Sequence, residues 1–263
     1  MKSSNDNDTE PVRFSRLKKM ALSAAHFAEG FGEETAPMRK GTALHAYMLG
    51  GEKRVAVYTG GARNPNFAKW QAFQAAHQGQ HIVIPSELEK IAGMRRSLER
   101  HDRAMWLLDG IQERRVHWTD GARACMGTPD NVIPKGDRRI LVELKTTRTS
   151  HPERFVWECR RHAYHAQCAW YRRGVELSGE YGPGRFDEVY IVAVESAPPY
   201  PVTVFRVDEE SLEAGDKMCR LWLEQLRVCE ENDHFPAYTE SDVLLSVIDE
   251  APELDWSSDG EAA

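Results

Sequence analysis

Residues 127–147, GTPDNVIPKGDRRILVELKTT, hold the side chains best suited to chemistry in this chain. Asp130 follows Pro129, a polar turn follows at Lys135-Gly136-Asp137, and an apolar run then carries Glu143 and Lys145. Side chains alternate along a strand, so Leu141, Glu143 and Lys145 are expected on one face and Val142 and Leu144 on the other. A carboxylate and an amine on a buried strand are costly unless each has a partner or a task. Asp130 stands thirteen positions before Glu143, which lets a hairpin bring the two carboxylates together. Two carboxylates and a lysine at one point describe a hard-metal site with a positioned cation, of the kind that hydrolyses phosphodiesters. The same residues also describe an ordinary strand with a surface ion pair.

Such a site needs a sheet beneath it and helices around it. Residues 14–31 show apolar positions at helical spacing (Phe14, Leu17, Met20, Ala21, Ala24, Phe27), with Arg13, Arg16, Lys18 and Lys19 at the start. This predicts an amphipathic helix, either plain packing or one wall of a DNA groove. Residues 41–49, GTALHAYML, read as a helix with Gly41, His45 and Leu49 on one face. A lone histidine there equally serves as a hydrogen-bonded core residue. A strand is expected over 54–58, a helix over 67–77, and a short strand over 82–84. His77 and His81 read as solvated. Ser86 with Glu89 gives a capping-box start for a helix to about Arg100, followed by 105–108. Arg95, Arg96, Arg100 and Arg103 make that segment the most basic, either as a wet face or as a phosphate contact.

Strand-like alternation over 113–118 and 122–126, with Asp120-Gly121 between, predicts a hairpin leading into the strands of Asp130 and Glu143. Residues 152–174 read as one long helix, with Gln167 and Tyr171 stacked four apart. Strands are expected over 186–195 and 202–207. Asp208 then caps a helix to about Glu231. Helices beside a strand series give an α/β layering.

The 263 residues are 41% apolar and 29% charged. No run of about eighteen apolar residues occurs, so no membrane span is expected, and residues 1–11 lack the apolar core of a secretion signal. Five cysteines without CxxC spacing suit reduced thiols of a cytoplasmic protein. The net charge is −7, but residues 240–263 hold eight acids and no Lys or Arg. The remainder carries 34 basic against 33 acidic residues, so a basic groove for nucleic acid is not excluded. The expected organisation is a disordered 1–10, one domain over 11–239, and an acidic tail over 240–263. No GxSxG, HExxH or phosphate-cradling Gly-rich loop appears.

Taken together, these segments resemble the PD-(D/E)xK nuclease superfamily, and within it the exonuclease VIII (RecE-like) nuclease domain. GTALHAYML looks like that family's GTxxH helix, and TPDNVI with LVELKTT like its two acidic segments. YHAQCAWY looks like its Gln-Tyr helix, and VAVESAPPYPVTVF like its last strand pair. The resemblance implies a restriction-endonuclease-like α/β core, a central mixed sheet flanked by helices. It implies His45, Asp130 and Glu143 as metal ligands, with the Val142 or Leu144 carbonyl as another. Lys145 would stand by the attacking water and Gln167 and Tyr171 beside the scissile phosphate. Glu113 matches an outer acidic position. The family usually has Asp where this chain has Glu143, which bears on metal spacing.

The implied activity is a Mg²⁺-dependent exodeoxyribonuclease, with Mn²⁺ as substitute, acting on linear double-stranded DNA ends. It would run 5′ to 3′, work with a single-strand annealing protein, and form a homo-oligomeric ring. Two carboxylates hold Lys145 charged, so it orients water and stabilises the transition state; a base would need its pKa near 7. Two other readings stand beside this one: a single-strand or flap nuclease with an iron–sulfur cluster, and a non-catalytic DNA-end-binding scaffold on the same fold.

Overall fold

The computed structural model describes residues 10–30, 36–49, 52–182, 185–239 and 241–245. The expectations for residues 1–9 and for most of the 240–263 tail therefore lie outside the described residues.

In chain order the elements are β1 (Val12–Arg13), α1 (Phe14–Leu17), α2 (Ala24–Glu29), α3 (Ala36–Leu49), β2 (Val55–Val57), α4 (Ala68–Ala76), β3 (His81–Val83), α5 (Pro85–Glu99), α6 (Asp102–Leu108), β4 (Ile111–Gln112), β5 (Val116–Asp120), β6 (Arg123–Gly127), β7 (Asn131–Lys135), β8 (Arg138–Thr147), α7 (Pro152–His162), α8 (Tyr164–Ser178), β9 (Arg185–Glu195), β10 (Val202–Val207) and α9 (Glu209–Glu231).

The central sheet has the order β10-β9-β8-β7-β4. It is mixed: β8 and β9 run parallel, and the other neighbours are antiparallel. A parallel pair needs a crossover, which α7 and α8 provide. Both faces of the sheet are covered. Val132, Leu141, Val189 and Ile191 meet Phe155, Trp170 and Trp222 on one side. Ile140, Val142, Leu144 and Val192 meet Leu44, Ile91, Met94 and Leu107 on the other. Leu141 and Leu144 are fully buried on opposite faces, each contributing about 1.5–3 kcal/mol. The period-2 expectation for β8 thus matches the layers, and the fold is the expected α/β one with a mixed sheet between helices.

Several boundaries differ from expectation. Residues 14–31 are not one helix. α1 passes into a 3₁₀ turn at Lys18–Ala21, and Ser23 then caps α2, its hydroxyl accepting from His26 N–H at 3.3 Å. α3 begins five residues before Gly41. α5 starts at Pro85, suited to a first helical position because its missing N–H is needed by no partner there. The reciprocal carboxylate is Glu87, which accepts from Ile84 N–H at 3.0 Å, so Ser86 and Glu89 do not form the cap. α6 is a separate helix, capped by His101. His77 is half-buried and not solvated: its ring stacks on Phe73 with centroids 3.9 Å apart.

The β5–β6 hairpin forms as expected, but with β1 it makes a separate three-stranded sheet that does not continue into β7. The long helix over 152–174 is two helices, broken at Ala163, whose φ of 54° is left-handed. β10 and α9 match expectation, with Asp208 accepting from Ser211 N–H at 2.8 Å. Among the described residues no helix is long and apolar enough to cross a membrane.

Candidate active site

The ladder between β7 and β8 ends at the pair Asn131 and Val142. One residue earlier, a side chain takes over from the backbone. Leu144 N–H donates to Asp130 Oδ2 at 2.8 Å, and Asp130 N–H donates to Glu143 Oε1 at 3.2 Å. Asp130 therefore caps the open edge of β8. The N–H and C=O of a strand residue point to the same side, so the Leu144 carbonyl faces this edge too, while Val142 is engaged in the ladder.

Lys145 lies two residues beyond Glu143 on the same face. Its ammonium donates to Glu143 Oε2 at 2.7 Å and stands 4.0 Å from Asp130 Oδ2. Glu143 is 1% exposed and the Lys145 side chain 12%. The expected grouping of two carboxylates and an amine is thus present, in a setting too dry for a surface ion pair.

Two helices close on this group. α3 brings His45, whose Nδ1 is 3.2 Å from Asp130 Oδ1. The helix can come this close because residue 41 is glycine: a Cβ there would lie 3.1 Å from Thr146 Oγ1. From the other face α8 brings Gln167 and Tyr171, with the Gln167 amide donating to Tyr171 Oη at 3.2 Å. That leaves the phenol proton for another acceptor. Tyr171 lies over Gly127, where a Cβ would come within 2.8 Å of its ring. Beside it opens a cleft of about 170 Å³ lined by Arg13, Ser15, Gly127, Thr128 and Tyr171 among others.

Glu113 enters differently from the expected outer acid. Its N–H donates to the Asp130 carbonyl at 3.1 Å, while its carboxylate pairs with Arg54. It adjoins the group through its backbone.

The electrostatics follow from burial and charge together. Burial pushes the Glu143 carboxyl up to about 7, the neighbouring Asp130 charge adds to this, and Lys145 only partly offsets it. Burial also acts against an ionised Asp130, but His45 and Lys145 outweigh it and hold its pKa below the usual range. Burial would discharge Lys145, yet Glu143 and Asp130 overcome this and raise its pKa. The same contest raises His45, with Asp130 prevailing over desolvation. Burial raises Tyr171, which stays a phenol.

Two neighbours were not singled out by sequence reasoning. The Tyr164 ring stands 5.5 Å from Lys145 Nζ. Its signal was available, since Tyr164, Gln167 and Tyr171 fall at i, i+3 and i+7 on one helix face. Lys18 was read only within a basic cluster. Although the residue is exposed, partial enclosure and then the charge of Lys145 lower its pKa, which puts it in the field of the site.

Among the described residues, no three His, Cys, Asp or Glu side chains already converge as a metal cage. His45, Asp130 and Glu143 are joined instead through hydrogen bonds, with Lys145 balancing the carboxylates. The donor chemistry still fits a hard divalent cation: two carboxylates whose oxygens keep further lone pairs, one imidazole and one edge carbonyl. The five cysteines are free thiols, four of them buried.

Among the curated proteins compared, none matches the sequence. Among solved structures, a candidate exonuclease from Eubacterium rectale is similar in fold, with a TM-score of 0.62 and 12% identity over 95% of this chain and 97% of that one. An alkaline exonuclease from Laribacter hongkongensis aligns with a TM-score of 0.30 and 17% identity over 72% of this chain and 89% of that one. The first likeness bears on fold alone. Residues 13–244 match the family described as a PDDEXK-like domain of unknown function, DUF3799, and the chain belongs to that family.

Proposed function

We propose that the protein is a divalent-metal-dependent exodeoxyribonuclease that degrades linear double-stranded DNA. In this reading it runs 5′ to 3′ and leaves a 3′ single strand for an annealing protein. The observation that supports it most is Lys145 held between Asp130 and Glu143 where β7 leaves β8. Residues 11–239 would form the catalytic unit. His45, Asp130, Glu143 and the Leu144 carbonyl would hold Mg²⁺, with Mn²⁺ as substitute because imidazole is the softer donor. When bound, such a cation supplies Lewis acidity for activating water and positive charge against phosphate oxygens.

The chain's own groups do the rest. Lys145 keeps its proton beside two carboxylates, so it orients the attacking water and stabilises the dianionic transition state without acting as a base. Tyr171 donates its phenol proton towards the phosphate, held in place by Gln167. Lys18 and Arg13 add positive charge where the DNA backbone would pass. The polarity, the annealing partner and a ring-shaped homo-oligomer rest on the RecE-like resemblance.

Digestion of end-labelled linear and closed circular duplexes with Mg²⁺, Mn²⁺ or chelator tests this reading. Linear DNA should be degraded from its ends in the presence of metal, and circular DNA should stay intact. Cutting of circles sinks the exonuclease reading, and preference for single strands favours the flap-nuclease alternative. Binding to DNA ends with no metal-dependent cleavage identifies a scaffold. Sedimentation of the purified protein tests the ring.

A further inference from the structure

α7 begins seven residues after Lys145 and shows two unlike faces. Inward, Phe155 is 1% exposed, stacks on Phe205 with centroids 4.5 Å apart, and lies 6.2 Å from Tyr164. Tyr164 in turn stands beside Lys145. Outward, Trp157 is 67% exposed. On the helix surface it is surrounded by Arg154 three residues before, Arg160 three after and Arg161 four after, all exposed. The Arg160 guanidinium lies 5.1 Å from a Trp157 ring centroid. Of the two acids on the helix, Glu158 is turned to His162 at 3.2 Å, which leaves Glu153 alone against three arginines.

Trp106 makes a useful contrast. It sits near the hairpin tip of β7 and β8 and is 42% exposed, with Arg103 4.4 Å and Lys135 5.9 Å from its ring. Its cations come from two elements, α6 and β7, which hold the ring between them. Trp157 has cations from its own helix and projects from it. Its own helix, then Phe155 and Tyr164, stand between it and Lys145.

A flat aromatic surface within a group of arginines suits an unpaired nucleotide. Every base has a face to stack, whatever its identity, and guanidinium groups meet the flanking phosphates. Bases inside a duplex already stack on both neighbours, so the body of an intact helix cannot use the indole this way. The excess of positive charge favours a polyanion over an apolar protein surface.

We propose that Trp157, with Arg154, Arg160 and Arg161, is a stacking platform for an unpaired stretch of DNA beside the active site. The proposal rests on the nuclease reading for its biological setting, but its physical test does not depend on cleavage. Binding of a labelled oligothymidylate of about 15 nucleotides is measured by fluorescence anisotropy on the full chain in chelator, where Trp157→Ala should weaken binding about tenfold. Trp157→Phe should keep most of the affinity, and Trp106→Ala should bind as the unaltered protein does. Replacing the three arginines by alanine should weaken binding and flatten its salt dependence. Binding of covalently closed duplex by Trp157→Ala should be unchanged.

The platform is overturned if the unaltered protein binds no single strand, or if Trp157→Ala binds it equally well. It is also overturned if Trp157→Ala changes only the sedimentation of the protein, which would make the face a contact between protein chains. Cleavage of linear duplex with Mg²⁺, measured alongside, separates the two ideas. Cleavage with unaltered single-strand binding in Trp157→Ala removes the platform alone. Weakened binding in that variant, from a protein that cuts nothing, removes the exonuclease reading alone.

Discussion

The two ends of the β7–β8 hairpin carry similar charges and use them differently. At the tip, where the ladder pairs Lys135 with Arg138, the Arg138 side chain is 63% exposed and lies 3.3 Å from Asp187. Such a pair is worth about 0–1 kcal/mol, because water screens it and ordering the side chains offsets the gain. At the other end the ladder stops, and Lys145 meets Glu143 and Asp130 almost without water. Burial raises Glu143 to about 7 while the same neighbourhood keeps Lys145 charged. The residue types hardly differ between the two ends. Loss of a neighbouring strand turns backbone groups towards side chains, and closure by α3 and α8 removes solvent. The surface ion pair that suited residues 143 and 145 as sequence is found instead at the tip.

That contrast can be broken by mutation. The largest expected effect is on catalysis: Lys145→Ala or Asp130→Ala should reduce metal-dependent DNA hydrolysis by about 10²–10³-fold or more, while Arg138→Ala leaves it unchanged in the same assay. Full activity in the purified Lys145 variant removes the site assignment. Stability should split the same way. Removing Lys145 takes the cation from the buried Glu143 carboxylate, while Asp130 keeps His45, and this costs about 3–5 kcal/mol in chemical denaturation. Arg138→Ala should stay within about 0.5 kcal/mol.

The third effect is on pH. The Glu143 carboxyl is raised, so it is neutral below about 7 and anionic above it. A cation binding there must displace a proton on the acid side. Mg²⁺ affinity should weaken by up to about tenfold per pH unit below that point, and calorimetry should detect proton release. An affinity flat from pH 8 to 6 contradicts this. Smallest is Gly41→Ala, whose methyl would crowd Thr146 Oγ1 at 3.1 Å and push α3 outward by a few tenths of an ångström. Activity should fall several-fold with a nearly unchanged melting temperature, because a misplaced group costs rate before it costs stability.

Asp130, Glu143 and Lys145 were legible because one hairpin and a period of two bring them together. His45 lies 85 positions from Asp130. No local pattern links them, and only the family resemblance tied the GTALH helix to the strand. Tyr164 shares a helix face with Gln167 and Tyr171 in the sequence, but the direction in which that face points is hidden there. The apolar spacing over 152–174 runs through Ala163 without losing phase, and nothing in an alanine announces a left-handed φ. The break re-aims α8 so that Tyr164, Gln167 and Tyr171 face Lys145. At Ser23 the sequence did carry a capping residue, but the helical spacing on either side masked it. The separate β1-β6-β5 sheet was not legible because consecutive hairpins read alike whether or not they join one ladder.

The span of 85 residues between His45 and Asp130 also sets an order in time. α3 is made early, and the hairpin that meets it follows only after α4, α5, α6 and the β5–β6 hairpin. Contacts so distant along the chain form late, since a long loop must close before they repay its entropy. The site is therefore completed only after that long loop has closed. Recovery of hydrolysis after dilution from denaturant should lag the return of helical signal, so that activity reports a finished fold where circular dichroism reports only its parts.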